Sequence, residues 1–328
     1  MNQNEIEFFK KQNLTLDSVI AQGGYGVIYN VYSSQYNTNF ALKRIPSNCF
    51  YPAELDCLKQ IDDPHIVNLY QFYQFEGNVY MLMEYCNTDL DKVMKQKKDR
   101  TKDELVGYVH DVIRAVKACH DRKIAHCDIK PSNFLVDKYG RIKIGDFGLS
   151  TLNCDGNLTL DFLKGTRLFM APEMFTDKTY NPLKADIWAL GVTIYFMATQ
   201  KYPFYSTDKQ QLTMLIIRGL YNDGMIKDIH LRKLIRCCLD PNPKTRATCD
   251  ELLQCSYFTE DQEENIPLSL SESFLKSSQL IIKPKVNNKK VEIQRNIPMA
   301  YSCLRYSKIH LVIPQSKSQL SLQPLVEQ

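Results

Sequence analysis

The sequence predicts an α+β protein with two lobes, a small β-rich lobe with one helix followed by a larger α-helical lobe. Residues 14–83 are rich in β-branched and aromatic residues, which are typical of strands. From about residue 103, apolar residues recur at the spacing of a helix. The later segment ADIWALGVTIYFMAT is apolar nearly all round, and it therefore predicts a helix at the centre of the second lobe.

Within the first lobe, three runs have the composition of strands and one segment has a helical pattern. The runs are VIYNVYS at 27–33, FALKRI at 40–45 and NVYMLMEY at 78–85. Between the second and third runs, PAELDCLKQI places Leu55, Leu58 and Ile61 at helical spacing. Pro52 opens that segment, as proline often does at the first turn of a helix.

The last part of the chain, 259–328, differs in composition from the rest. It combines many serines with an acidic cluster and a later basic cluster, and its periodicity is weak. Such a composition predicts a mostly disordered tail. The short apolar pieces LIIKP and IHLVIP are candidates for segments that dock on the body of the protein or on a partner.

Composition and charge exclude several functional classes. The net charge of +4 over 328 residues predicts no nucleic-acid or membrane partner. The first ten residues lack the pattern of a signal peptide, residue 2 is Asn, and the longest apolar run is too short to span a bilayer. The eleven cysteines show no repeating spacing, which favours reduced thiols in the cytoplasm or nucleus.

Two segments of the first lobe carry candidates for phosphate binding. In IAQGGYGVI, glycines lie between two strand-like runs, where backbone N–H groups can approach an anion closely. In FALK, Lys43 lies within an apolar strand, so its ammonium group should either extend outward to solvent or be paired. Glu54 on the following helix is the candidate, and the pair would direct Lys43 toward phosphates held by the glycine segment.

Two further segments place carboxylates and an amide between buried runs. In IAHCDIKPSN, Asp128 is a candidate general base, Lys130 could neutralise charge on a transferred group, and Asn133 could offer an oxygen to a metal. In IGDFGLS, Asp146 follows the strand-like RIKI. Oxygen ligands of this kind suit Mg²⁺.

The order of these motifs, followed by MAPE and DIWALG, resembles the eukaryotic protein kinase family over residues 14–258. The resemblance implies a bilobal fold with ATP between the lobes. It further implies a first lobe at 14–83, a hinge at 84–90 and a second lobe at 91–258. Residues 1–13 would be an N-terminal extension.

The resemblance assigns a role to each matching residue. Asp128 would orient the substrate hydroxyl, Lys130 would neutralise charge, Lys43 held by Glu54 would contact the phosphates, and Asn133 and Asp146 would hold Mg²⁺. Glu173 and Arg246 would form a buried ion pair. Leu58, Leu69, His126 and Phe147 would stack as a spine anchored on Asp186. The residues expected to bind ATP are Ile20, Ala21, Gly23, Gly24, Tyr25, Gly26, Ile28, Ala41, Lys43, Met83, Glu84, Cys86, Asp89 and Leu135.

Two details resemble the serine/threonine branch of the family. Lys130 lies two residues after Asp128, and Thr166 lies in GTRLFMAPE. In that branch such residues bond to each other and to the catalytic aspartate. The resemblance therefore implies transfer of the γ-phosphoryl group of Mg-ATP to serine or threonine in protein substrates. A small-molecule kinase is disfavoured by the complete MAPE and DIWALG segments.

Three departures from the family pattern stand out, and the first and the last of them keep an alternative open. Ala21 occupies the place of the first glycine, and Cys127 occupies a place where most members have an arginine that binds a loop phosphate. Without that arginine, the loop is expected to order by packing, by its own Asp155 and Asp161, or through a partner. The helix carrying Glu54 is expected to be short, so the tail or another chain would support it. The alternative is a pseudokinase scaffold that binds nucleotide without transferring phosphate.

Overall fold

The first lobe is built on a five-stranded antiparallel sheet with strand order β1-β2-β3-β5-β4. The computed structural model describes residues 1–23, 26–96, 100–152, 154, 158–159 and 166–259. Because residues alternate along a strand, neighbouring positions of β3 and β5 face opposite sides of the sheet. The strands are β1 (Leu14–Gly23), β2 (Gly26–Ser33), β3 (Thr38–Pro46), β4 (Leu69–Phe75) and β5 (Asn78–Glu84).

A helix that the sequence analysis did not predict covers the outer face of this sheet. Helix α1 (Gln3–Lys11) occupies most of the expected extension, and a capping box between Asn2 and Glu5 fixes its first turn. Phe9 of α1 is buried in one cluster with Leu42 and Tyr80 of the sheet. The outer face of the sheet is therefore covered by residues of the same chain.

The inner face of the sheet packs against the predicted helix of the first lobe. Helix α2 (Pro52–Gln60) begins with proline in its first turn and has no side-chain cap at its N-terminus. It buries Leu55 and Leu58, and Leu58 shares a cluster with Met81 of β5. The helix has nine residues and carries Glu54 in its first turn, as the sequence predicted.

Helices dominate the second lobe, and the first of them starts before the predicted residue 103. Their core is α6, in which Trp188 is fully buried and stacks on Phe204 at 5.3 Å between ring centroids. Among the described residues, no helix combines the length and apolar character needed to cross a bilayer. The helices are α3 (Leu90–Gln96), α4 (Lys102–His120), α5 (Glu173–Thr176), α6 (Pro182–Thr199), α7 (Lys209–Arg218), α8 (Ile229–Cys238) and α9 (Cys249–Leu253).

Two small sheets lie outside the five-stranded sheet. Strands β6 (Thr88–Asp89), β7 (Phe134–Val136) and β8 (Ile142–Ile144) form one, and β9 (Leu158–Thr159) pairs with β10 (Thr179–Tyr180) in the other. Both lobes belong to one compact unit, Met1–Asp261. The expected disordered tail lies almost wholly outside the described residues.

Candidate active site

Lys43 lies between two carboxylates that come from different parts of the chain. Its Nζ donates to Glu54 Oε1 at 2.6 Å and to Asp146 Oδ1 at 2.8 Å. Strand β3 directs Lys43 to the inner face of the sheet, where it meets the first turn of α2. The sequence predicted the pair with Glu54, and the direct contact with Asp146 brings the two lobes together at this point.

The protonation equilibria of these three groups reflect burial and mutual charge. Burial acts to lower the pKa of Lys43, but Glu54 and Asp146 outweigh it and raise the pKa above its usual value. At Glu54 burial dominates, so its pKa is raised although Lys43 acts in the opposite direction. Burial also acts to raise the pKa of Asp146, but Lys43 outweighs it and holds that pKa below its usual value. Lys43 and Asp146 are therefore charged at neutral pH.

The segment around Asp128 forms a second polar cluster. Lys130 Nζ donates to Asp128 Oδ2 at 2.6 Å, and Asn133 Nδ2 donates to the same oxygen at 3.1 Å. A second bond from Asn133 Nδ2 to the Asp128 carbonyl, at 2.8 Å, closes the loop on itself. Both donors contact Oδ2, so Asp128 Oδ1 has no hydrogen bond to the part of the chain that the structure describes.

Asp186 of α6 holds the backbone of the loop that carries Asp128. Its carboxylate accepts hydrogen bonds from the backbone N–H of His126 at 2.7 Å and of Cys127 at 2.9 Å. Cys127 has a φ of +63°, a left-handed backbone conformation that residues other than glycine rarely adopt. The two bonds to Asp186 hold this conformation, which turns the chain toward Asp128.

Three of the four residues expected to stack as a spine belong to one hydrophobic cluster or pack against it. Leu58 and Phe147 are buried members of that cluster, partly exposed Leu69 packs against it, and His126 is buried. The rings of His126 and Phe147 are 5.0 Å apart, and His126 Nε2 lies 2.9 Å from the Gly145 carbonyl oxygen. His126 thus serves to pack and position the loop.

Asn133 and Asp146 offer oxygen atoms that suit a magnesium ion. The backbone N–H of Gly145 donates to the Asn133 carbonyl at 3.0 Å, which brings the two segments side by side. Asn133 donates hydrogen bonds through Nδ2, and its Oδ1 accepts no hydrogen bond from the described residues. The Asp146 side chain is 53% exposed to the cleft and uses only one oxygen on Lys43. These hard oxygen donors fit Mg²⁺.

The glycine segment connects β1 to β2 in the first lobe. Gly23 ends β1, Gly26 begins β2, and Gly24 and Tyr25 lie outside the described residues. A Cβ atom on Gly26 would lie 2.1 Å from the Arg44 carbonyl oxygen, so only glycine fits at this position. Ile20 is 41% exposed and Ala21 is exposed.

Other residues expected to bind ATP lie on strands β2, β3 and β5 of the first lobe and on β7. Ala41 pairs with Met83 across β3 and β5, and Ile28 pairs with Lys43 across β2 and β3. Leu135, from β7, is partly buried below them. Burial raises the pKa of the Cys86 thiol to about 12, so it is uncharged at neutral pH.

Two expected hinge residues have side chains engaged elsewhere. The Glu84 carboxylate lies 3.0 Å from Nζ of the buried Lys143, a residue that the sequence analysis missed because it lies in the strand-like RIKI. Asp89 accepts the Lys92 backbone N–H at 3.0 Å and lies 2.9 Å from Lys92 Nζ. The role of Asp89 in ATP binding stays a prediction.

Thr166 lies near Asp128 but does not bond to it. Among the described residues, no hydrogen bond joins the exposed Thr166 side chain to Asp128 or Lys130. Of the three predicted contacts among Asp128, Lys130 and Thr166, the described residues therefore show one, between Lys130 and Asp128. Thr166 and Asp128 line one open pocket together with Cys127, Ile129, Phe169, Met170, Met174, Tyr180, Pro182, Ala185, Asp186 and Ala189.

The predicted pair of Glu173 and Arg246 is present and fully buried. Arg246 Nη1 donates to Glu173 Oε1 at 2.6 Å, and Nη2 donates to Oε2 at 2.8 Å. The guanidinium carbon also lies 5.2 Å from the centroid of the Trp188 ring. This arrangement ties the MAPE segment to the core of the second lobe.

A histidine that the sequence analysis missed supports Asp186. His120 Nε2 lies 3.1 Å from Asp186 Oδ2, and its Nδ1 lies 3.8 Å from the Cys249 sulfur. Burial acts to lower the pKa of His120, but the bonds to Asp186 and Cys249 outweigh it and raise the pKa to about 10. In the sequence, His120 was one more polar residue at the end of a helix, where basic side chains are common.

Comparison with known proteins agrees with this geometry. The model of the protein kinase domain matches residues 14–258 of the chain. The chain belongs to the protein kinase family. Among its relatives is sperm motility kinase 2B of Mus musculus, 32% identical over 284 residues, which are 83% of this chain and 58% of the mouse protein.

Two other relatives come from a plant and a yeast. CBL-interacting serine/threonine-protein kinase 3 of Arabidopsis thaliana is 34% identical over 214 residues, 63% of this chain and 48% of that protein. The carbon catabolite-derepressing protein kinase of Saccharomyces cerevisiae is 29% identical over 263 residues, 77% of this chain and 41% of that protein. The kinase chain spans about half the length of the relatives it matches.

Proposed function

We propose that the protein transfers the γ-phosphoryl group of Mg-ATP to serine or threonine hydroxyls of protein substrates. The observation that carries this proposal is the position of Lys43 between Glu54 and Asp146, at 2.6 and 2.8 Å. A lysine held in this way presents a fixed positive charge to the phosphates. The serine/threonine relatives and the contact between Lys130 and Asp128 support the substrate class.

In this proposal, the chain's own residues supply position and charge. Asp128 Oδ1 accepts the hydrogen bond of the substrate hydroxyl and orients its oxygen toward the phosphorus atom. Lys130, held at Asp128 Oδ2, offsets negative charge on the transferred group. Asn133 and Asp146 would hold Mg²⁺, which neutralises phosphate charge when bound.

Replacement of Asp128 tests this assignment. D128N keeps the size of the side chain but removes its capacity to accept the hydroxyl proton. We expect kcat to fall by about 10²- to 10⁴-fold in a radiolabel transfer assay, with binding of a fluorescent ATP analogue retained.

D91N is the matched control, because Asp91 is a partly buried partner of the exposed Lys95 on α3. Full activity of D128N would contradict the role of Asp128. A wild-type protein that binds the analogue but transfers no phosphate under any condition would instead favour the pseudokinase scaffold.

We also propose that activity does not require a phosphate docked on the catalytic loop. The Cys127 sulfur contacts the Ala125 carbonyl oxygen at 3.7 Å and Thr151 Oγ1 at 3.9 Å, whereas an arginine would present a guanidinium fork to a phosphate. The expected ordering acids, Asp155 and Asp161, lie outside the described residues.

Phosphatase treatment tests this second proposal. Protein that mass spectrometry shows to be free of phosphate should keep activity within about twofold of the untreated protein, because Cys127 stands at the position of the arginine that would bind the phosphate. Loss of activity on dephosphorylation, with recovery after rephosphorylation, would refute it.

The support expected for α2 stays a prediction. The pair of Lys43 and Glu54 is closed in the described part of the chain, although α2 lacks a side-chain cap. A regulatory partner or the tail would then act by stabilising a contact that is already formed.

A further inference from the structure

Glu5 of α1 is a buried carboxylate whose partners lie in the sheet. Only 1% of its surface is exposed. Oε2 accepts the Asn2 backbone N–H at 2.6 Å, which caps the helix. Oε1 accepts the hydroxyl of Tyr80 and lies 3.1 Å from Arg44 Nε, an ion pair that lacks hydrogen-bond geometry. Burial of a charge at this depth is tolerated only with such partners.

The two sheet partners of Glu5 form the cross-strand pair next to the catalytic lysine. Arg44 and Tyr80 are directly opposite each other on β3 and β5, and the adjacent cross-strand pair is Lys43 and Met81. Because strand residues alternate, Glu5 holds the outer face of the segment whose inner face presents Lys43.

Arg44 also supports the glycine segment through its backbone. Gly26 packs so closely on the Arg44 carbonyl that a Cβ atom would lie 2.1 Å from that oxygen. A shift of Arg44 would therefore move both the glycine segment and Lys43. Burial acts to lower the pKa of Arg44, but Tyr29 and Glu5 outweigh it and raise the pKa, so the guanidinium remains charged.

Further contacts hold α1 in place near the turn between β4 and β5. Asn2 Nδ2 and Asn4 Nδ2 donate to the two oxygens of Glu76 at 2.9 and 2.7 Å. Phe8 stacks on Phe75 at 4.4 Å between centroids. These contacts orient the helix, and Glu5 adds an ion pair with Arg44 of β3.

We propose that Glu5 is a positioning residue for nucleotide binding, which acts through Arg44 to set the height of the glycine segment and the position of Lys43 over the cleft. The inference rests on the nucleotide role proposed above for Lys43. Helix α1, which lies before the matched kinase domain, is then a functional part of the nucleotide site.

Steady-state kinetics of E5A and E5Q test the proposal. E5Q keeps the shape of the side chain and one acceptor oxygen but removes the charge. We expect E5A to raise KM for ATP about five- to tenfold, with kcat and KM for a peptide substrate within twofold, because nucleotide binding alone is weakened. E5Q should show a smaller rise in the same direction.

The matched control is E7A, because Glu7 is exposed on the same helix and interacts with Gln3. E7A should keep the wild-type KM for ATP. All assays are run well below the melting temperature of each variant, so that a loss of stability does not enter the kinetics. E5Q serves as the test variant if E5A does not fold.

A folded E5 variant with an unchanged KM for ATP would overturn the proposal, even if its melting temperature fell. This outcome is distinct from failure of the proposed function. In that case the wild-type protein itself would neither bind a fluorescent ATP analogue nor transfer phosphate, or K43M would bind and turn over ATP as the wild type does.

Discussion

At the scale of single residues, the geometry of the site depends on Asp186, whose carboxylate contacts three other groups. Two are backbone N–H groups of the catalytic loop, and the third is the ring of His120. The raised pKa of His120 means that the ring is charged in the folded protein at neutral pH. A charged donor strengthens the hold on Asp186, because charge-assisted bonds are stronger than neutral ones.

This charge makes the stability of the kinase depend on pH. The pKa of His120 rises from 6.5 to about 10 on folding. Its contribution is therefore fully present below the unfolded pKa and is lost as pH rises through the folded pKa. Between these values, the free energy of unfolding should fall by up to about 1.4 kcal/mol per pH unit from this group.

Urea unfolding between about pH 7 and pH 9 measures this dependence. H120Q should show a flatter pH dependence than the wild type. H110Q, on the same helix and partly exposed, should keep the wild-type slope. Identical slopes for the wild type and H120Q would show that His120 does not carry the charge.

At the scale of elements, sequence patterns were most reliable where a segment is rich in apolar residues. The three runs predicted as strands became β2, β3 and β5, and the predicted helices became α2 and α6. Helix α1 was missed because its apolar positions are few and its burial depends on a sheet distant in sequence. Helix α3 was missed because seven residues are too short for a periodic signal.

The sequence likewise predicted some residues of the candidate site and missed others. Residues in short motifs, such as Asp128, Asn133 and Asp146, could be assigned because the motif fixes their local geometry. Lys143, His120 and Glu5 could not, because each acquires its role only from a partner on another element. The missing bond of Thr166 has the same origin, since motif spacing does not determine where two loops meet.

At the scale of the whole molecule, the pair of Glu173 and Arg246 joins three parts of the second lobe. Arg246 also donates to the Lys184 carbonyl at 2.7 Å and to the Asp240 carbonyl at 2.9 Å. The pair is completely buried, so loss of one partner leaves a charge without compensation in the core.

Unfolding experiments on single and double variants test this role. R246M and E173M should each lower the free energy of unfolding by about 3–5 kcal/mol, and the double variant should recover part of the loss. R236M removes an exposed ion pair with Asp223 and should cost less than about 1 kcal/mol. Comparable losses for R246M and R236M would contradict the structural role of the buried pair.

The hold of Asp186 on the loop has a consequence for the chain during its synthesis. His126, Asp128 and Asp146 leave the ribosome before Asp186, which lies on α6. Until α6 is made and packed, the loop lacks the carboxylate that fixes its left-handed turn. A nascent chain that ends before α6 therefore carries the candidate site residues before the backbone around Cys127 can be held in place, so this part of the site is completed only after α6 has formed.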